Sequence, residues 1–175
     1  MSEITTREEL LATIEREAAE LEKTSHGCSR CVLIPLQQHL RIGNTDVARA
    51  SVPLAGGIAL SGESCGALLG GLLAIGLAMA DKDVENRQAF LDTMTSGFRF
   101  LRRFQKEFGA ATCRDLQTAR LGAFYSMARP DEYEAFVKAG GYAVCSALVG
   151  RASRLAAEFI LELRDKGAVR IPSTS

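Results

Sequence analysis

One apolar run constrains the fold of this chain more than any other feature. Between Glu63 and Asp81 the sequence reads SCGALLGGLLAIGLAMA and carries no charge. Glycine occurs there four times, although each glycine inside a helix costs about 1 kcal/mol relative to alanine. Small residues recur every four positions: Gly66, Gly70, Ala74 and Ala78. Because such a row lets a neighbouring backbone approach closely, the run predicts a buried, tightly packed helix.

The same run does not predict a membrane span. Residues 64–80 only reach the lower limit of about 17–25 residues for a spanning helix. Neither an aromatic belt nor an asymmetric set of Lys and Arg residues flanks the run. A core helix without a membrane span is therefore the prediction.

The rest of the chain has helical periodicity. Thr6 and Glu9 form a capping box at the start of one helix, and a second helix is expected from Cys28 to Leu40, across Pro35. No window alternates apolar and polar residues as a half-buried strand would. We predict an all-α, single-domain bundle of about six helices over residues 1–175. Its parts are an N-terminal helix (1–25), a cysteine-bearing core (26–166) and a loose tail (167–175).

Two long segments carry apolar faces at the helical spacing. In residues 83–108 this face consists of Phe90, Met94, Phe98, Leu101, Phe104 and Phe108. In residues 142–166 it consists of Cys145, Leu148, Ala152, Leu155, Phe159 and Leu163. Helical proteins bury such faces inside one chain or between two, so both are candidates for a homodimer interface.

Charge and cysteine content narrow the class of partner. The 21 basic residues balance 21 acidic ones, so no overall field attracts nucleic acid or an anionic membrane. The N-terminal sequence MSEITTREEL lacks the features of a secretory signal, which makes the cytoplasm the expected location. In that compartment, the 5 cysteines are expected to be thiols or metal ligands rather than a disulfide framework.

The cysteines cluster at predicted helix starts. Cys65 and Cys113 each follow a predicted N-cap residue, where unpaired backbone N–H groups favour a thiolate. Cys28 and Cys31 share one helix face, and Cys145 lies one turn into the last long helix. If these helix ends converge, the sulfurs suit a metal cluster or reactive thiols. The alternative is that each cysteine packs as a small buried hydrophobe.

Other chemistries find less support in the sequence. A Cys–His dyad would have to use His26 or His39, the only 2 histidines. The glycines before Cys65 lack the Gly-Lys-Ser/Thr of a phosphate-binding loop. Cys28 and Cys31 are a candidate disulfide-forming redox pair. No catalytic residue beyond this pair is predicted, and whether the protein is an enzyme, for example an oxidoreductase, stays open.

The cysteine motif resembles that of a known family. The segment CGALLG, from Cys65 to Gly70, in the context GGIALSGES, is similar to the motif of the redox-active proteins named C_GCAxxG_C_C. The resemblance matches Cys31 with the first family cysteine, Cys113 in FGAATCRDL with the third, and Cys145 with the fourth. Cys28 is then an additional cysteine.

The resemblance implies a function. Similar cysteine-bearing helical domains accompany the haem domain of split-Soret cytochromes, where an iron–sulfur centre is implied. The resemblance implies that the protein holds an iron–sulfur cluster. The protein would use this cluster for electron transfer or redox sensing with an unidentified redox partner protein. The implied metal ligands are Cys31, Cys65, Cys113 and Cys145. Gly66 and Gly70 are the residues expected beside the cofactor. Structural zinc, a Cys28/Cys31 dithiol pair and a helical interaction module without a metal remain the alternatives.

Overall fold

The computed structural model describes residues 6–169; residues 1–5 and 170–175 lie outside the described part of the chain. Eight helices occur in this part: α1 (Arg7–Ser25), α2 (Cys28–Leu40), α3 (Thr45–Ala50), α4 (Gly66–Met79), α5 (Arg87–Phe108), α6 (Cys113–Leu121), α7 (Pro130–Lys138) and α8 (Gly141–Asp165). A 3-10 turn covers Val52–Leu54. Residues 6–169 contain no strand, only an isolated antiparallel bridge between Ser64 and Thr112.

The all-α prediction is confirmed, but the predicted number of about six helices is too low. The count reaches eight with the two short helices α3 and α7. Both begin with local signals: the Asn44 side chain caps α3, and Pro130 is the first residue of α7. Of the tail predicted for 167–175, residues 170–175 lie outside the described residues.

The glycine-rich run forms a central helix, as predicted. α4 packs against α2, α5 and α8. A Cβ atom on Gly70 would overlap the Ser29 carbonyl oxygen of α2, and one on Gly71 would lie 2.6 Å from the Phe100 ring of α5. The glycines therefore bring two neighbouring helices close to the axis of α4. Within residues 6–169, no helix has the length and apolar character that a membrane span requires.

Close packing also joins the first and last helices. A Cβ atom on Gly150 of α8 would lie 2.8 Å from the Glu15 carbonyl oxygen of α1. One turn earlier, the Ser146 hydroxyl donates a hydrogen bond to the Ala19 carbonyl oxygen at 2.7 Å. α1 is therefore fixed alongside the helix that carries Cys145.

The two predicted apolar faces have different surroundings. In α8, the face from Leu148 to Leu163 is buried within the chain. In α5, the residues that enter the core are Phe100, Phe104 and Phe108, whereas other members of the predicted face are exposed: Phe90 by 59%, Met94 by 58% and Phe98 by 64%. The predicted face of α5 is therefore divided: its second half enters the core of the chain, and its first half is exposed. In the first half of α5, the core-facing residues are the small Ala89 and Ser96.

Two glycines of α4 provide a matched test of this packing. Gly70→Ala should lower the free energy of unfolding by about 1–3 kcal/mol, because the new methyl group overpacks the contact with α2. Gly76 has open space around its Cα, so Gly76→Ala should raise the free energy of unfolding by about 0.4–1 kcal/mol. Urea unfolding followed by circular dichroism measures both. Equal stability of the two variants would contradict the close α2–α4 contact.

Candidate cysteine site

Four of the five cysteines line one cavity of about 130 Å³. They are Cys28, Cys65, Cys113 and Cys145, which come from four separate helices or helix starts. Much of the remaining wall is apolar and includes Leu116, Phe136 and Val149. A shared site requires that the cysteine-bearing helix ends converge. These four cysteines fulfil that condition.

A short backbone bridge brings Cys65 and Cys113 together. The Cys65 N–H donates to the Ala111 carbonyl oxygen at 2.8 Å, and the Cys113 N–H donates to the Glu63 carbonyl oxygen at 2.7 Å. Cys113 is the first residue of α6, as predicted. Cys65 is itself the N-cap of α4, whereas Ser64 was the expected N-cap. The two cysteines therefore sit at adjacent helix starts although they are far apart in the sequence.

A left-handed turn forms one side of the cavity. Residues 56–60 all have positive φ, including Ile58 at 60°, Ala59 at 49° and Leu60 at 65°. For residues other than glycine, this conformation costs of order 1–3 kcal/mol each, so the surrounding structure must hold the turn in place. The Gly56 backbone N–H in this turn partly offsets the rise that burial causes in the pKa of the Cys28 thiol. The strained turn thus influences one of the four thiols.

Cys28 and Cys31 have different surroundings although they share a helix. Cys28 lines the cavity, and a Cβ atom on Gly66 would overlap its sulfur. Cys31 is 1% exposed and lies outside the lining, where its thiol donates to the His26 carbonyl oxygen at 3.3 Å. The structure thus joins Cys28, and not Cys31, to the other three predicted ligands. Gly66 adjoins the site, whereas Gly70 packs on α2.

Burial raises the pKa of every cysteine thiol. The pKa values of Cys31 and Cys65 rise to about 12, and those of Cys28, Cys113 and Cys145 also rise. For Cys65, the N–H groups of Ala67 and Leu68 work against this rise, although no side-chain hydrogen bond caps the helix. Burial therefore disfavours the thiolates expected at the helix starts, because desolvation outweighs the effect of the helix N-terminus on the thiol pKa.

The thiols also act on one another. A negative charge on Cys65 or Cys145 further raises the pKa of Cys28, and a charge on Cys113 raises the pKa of Cys65. Like charges interact strongly only where they are close together and shielded from water. The sulfurs therefore form one electrostatic group around the cavity.

A buried carboxyl group lies beside the thiols. Glu22 of α1 lines the cavity, is 4% exposed, and has a carboxyl oxygen, Oε2, without a hydrogen-bond partner. Burial raises its pKa to about 7, while the neighbouring Cys31 thiol and the Arg30 charge work against the rise. Sequence reasoning missed this residue. The available signal was its position on the buried stripe of α1, four residues after Ala18.

The two histidines have different roles. His26 lines the cavity and stacks on Tyr142 with ring centroids 3.9 Å apart. Its Nδ1 lies 2.8 Å from the Glu22 carbonyl oxygen, which fixes the ring through an Nδ1–H donor. His39 pairs with Glu17 at 2.7 Å and is not part of the cavity lining. His26 therefore contributes to the wall of the site.

The donor set fits a sulfur-ligated metal centre in number and chemistry. Four cysteines are the ligand set of iron–sulfur clusters and of many structural zinc sites. Within residues 6–169, no three Cys, His, Asp or Glu side chains converge closely enough to hold a metal ion. Ligation therefore requires the four cysteine side chains to come closer together than they are in this structure.

Comparison with known proteins supports the relationship that the motif indicates. No curated protein and no solved structure gave a match. A family model described as "Putative redox-active protein (C_GCAxxG_C_C)" matches residues 26–159. The matched range contains all five cysteines and begins just after α1. Because the match covers most of the chain, the protein belongs to the C_GCAxxG_C_C family.

Proposed function

We propose that this protein is an electron-transfer or redox-sensing protein whose cysteine cavity holds a metal centre, with an iron–sulfur cluster as the first candidate. The observation that carries the proposal is the placement of four cysteines from four chain segments around one apolar cavity. Membership of a family described as redox-active supports the same function. A cluster bound there would supply a one-electron redox couple.

The proposed ligands are Cys28, Cys65, Cys113 and Cys145. Cys28 replaces Cys31 of the sequence-based set because only Cys28 lines the cavity. Metal binding would release the thiol protons. The positive charge of the metal would then stabilise the thiolates, whereas burial without a metal favours the protonated thiols. The Gly56 N–H, which lowers the pKa of the Cys28 thiol, would also stabilise charge on this sulfur, an effect of the kind that tunes a redox potential. The apolar wall would limit access of water.

A thiol–disulfide function for Cys28 and Cys31 is less well supported. Such exchange needs an accessible thiolate with a pKa near ambient pH. Both thiols have raised pKa values, and Cys31 is 1% exposed. The proposal therefore assigns these cysteines no disulfide cycle. We also propose that the protein exchanges electrons with a redox partner protein. The proposed location is the cytoplasm, a reducing compartment in which free thiols persist.

A second candidate function, dimerisation, rests on the exposed side of α5. Large apolar residues there form the α5 patch: Val84, Phe90, Leu91, Met94 and Phe98. A contiguous exposed apolar surface of this kind is typical of an interaction site. The charged side chains at its start are acidic at Asp83, Glu85 and Asp92 and basic at Lys82 and Arg87. The exposed charged side chains that follow include the basic residues Arg99, Arg102 and Lys106. An antiparallel pair of α5 helices would bring opposite charges together, so we propose a homodimer through this patch.

Metal and sulfide analysis tests the main proposal. Protein purified without oxygen should contain iron and acid-labile sulfide and should absorb visible light. Removal of the iron by a chelator should lower the midpoint temperature of unfolding, because a ligand that binds only the folded state stabilises it. Zinc without sulfide would replace the iron–sulfur assignment by a structural zinc site. Colourless protein without any metal would overturn the proposed centre.

Serine variants test the ligand set. Cys28→Ser, Cys65→Ser, Cys113→Ser and Cys145→Ser should each lose most of the bound metal, because a serine hydroxyl is a poor substitute for a thiolate. Cys31→Ser is the matched control on the same helix face and should keep the metal. Its cost should be limited to about 1–3 kcal/mol of stability from burial of a polar group. Metal loss in the Cys31 variant, with retention in the Cys28 variant, would restore the sequence-based ligand set.

The α5 patch is tested by charge insertion. Phe98→Glu should convert a dimer into a monomer, because it places a charge at the centre of the proposed interface. Val137→Glu on α7 is the control, since Val137 is also exposed, by 46%, but lies outside the α5 patch. Size-exclusion chromatography with light scattering at micromolar concentration reports the mass. A monomeric wild-type protein would refute the interface.

A further inference from the structure

We propose that Glu22 is an oxygen donor to the metal centre and binds it through Oε2. The inference rests on the proposed function, which it extends from four sulfur donors to a mixed sulfur and oxygen set. Glu22 lies in α1, before residue 26, where the match to the family begins. The proposed oxygen donor therefore lies outside the part of the chain that matches the family model.

The Oε2 atom of the buried Glu22 carboxyl group calls for a physical explanation. The side chain is 4% exposed, and Oε2 is without a hydrogen-bond partner. The Cys31 thiol and the Arg30 charge stabilise the carboxylate only in part, and a buried carboxylate with incomplete compensation is destabilising. An apolar residue would suit this position on the stripe of Leu11, Ile14 and Ala18 if packing were its only role. A cation in the cavity would supply the missing compensation.

The nearby Cys31 thiol and Arg30 charge act on the Glu22 carboxyl group, but no donor forms a hydrogen bond with its Oε2. The Arg30 guanidinium donates to the backbone carbonyl oxygens of Ser25 and His26. The His26 ring bonds the backbone carbonyl of Glu22 and not its carboxyl group. Oε2 is therefore left free to bind a metal.

Glu22 also faces the proposed sulfur ligands. It lines the same cavity as the four thiols and is the one acidic side chain in that lining among the described residues. Its negative charge acts on the thiols of Cys28, Cys65 and Cys145, whose pKa values it raises. The carboxyl group therefore belongs to the same shielded electrostatic group as the sulfurs.

The chemistry of a carboxylate suits this role. Zinc and iron accept glutamate oxygen together with cysteine sulfur. On binding, Glu22 would occupy one coordination position as a carboxylate, and any proton it carries would pass to solvent. No electron is transferred in this step. An anionic oxygen ligand would also distinguish the centre from one ligated by sulfur alone.

A cobalt titration of metal-free protein tests the inference, with Co²⁺ alone as the probe and visible absorption as the readout. Glu22→Gln keeps the shape of the side chain but removes the anionic oxygen. Glu20→Gln is the control, because Glu20 lies on the exposed side of the same helix. We expect Glu22→Gln to raise the dissociation constant for Co²⁺ by about tenfold or more and to change the ligand-field bands. Glu20→Gln should match the wild type.

Thermal unfolding separates ligation from a structural role. Without metal, Glu22→Gln should unfold at the same or a higher temperature than the wild type, because it removes a buried carboxylate that is only partly compensated. With Co²⁺, it should gain less stability than the wild type. Equal Co²⁺ affinity and an unchanged spectrum, or a loss of stability without metal, would overturn the role of Glu22. If Glu22→Gln leaves Co²⁺ binding unchanged but Cys65→Ser abolishes it, only the role of Glu22 is overturned. The proposed cysteine-ligated centre is then retained. Absence of Co²⁺ binding by the wild type would overturn both proposals.

Discussion

The cysteine site depends on the close approach of α4 to α2. Gly66 makes room for the Cys28 sulfur, and Gly70 makes room for the Ser29 carbonyl oxygen. Each glycine costs about 1 kcal/mol of helix propensity, which the packing of the two helices offsets. Side chains at these positions would move α2 away from α4 and alter the wall that carries Cys28. The unusual composition of α4 is therefore a condition for the geometry of the site.

Burial then decides the chemical state of the thiols. Cys65 and Cys113 lie at helix starts, where the local field favours a negative charge. Their pKa values nevertheless rise, because removal of water penalises the charged sulfur more than the helix N-terminus stabilises it. A protein with such thiols is better suited to hold a cation, which replaces the protons, than to attack a substrate as a free nucleophile.

The site draws on helices from separate parts of the chain. The family match covers the segment from residue 26 to residue 159, with all five cysteines. α1 lies before this segment and is held against α8 through Ser146 and Gly150. This contact places Glu22 in the wall of the cavity. The packing of α1 thus adds a buried carboxyl group to the wall that the four cysteines line.

The sequence by itself determined the all-α fold, the buried helix after Cys65 and the positions of Cys113 and Cys145 on their helices. These features follow from local rules, namely helical periodicity, capping and glycine spacing. Only the tertiary structure decided that Cys28 lines the cavity and that Cys31, one turn away on the same helix, packs beside it. It also decided that Phe98 is exposed and Phe100 is buried. Both outcomes depend on which distant helices pack against each face, and helical periodicity does not specify those neighbours.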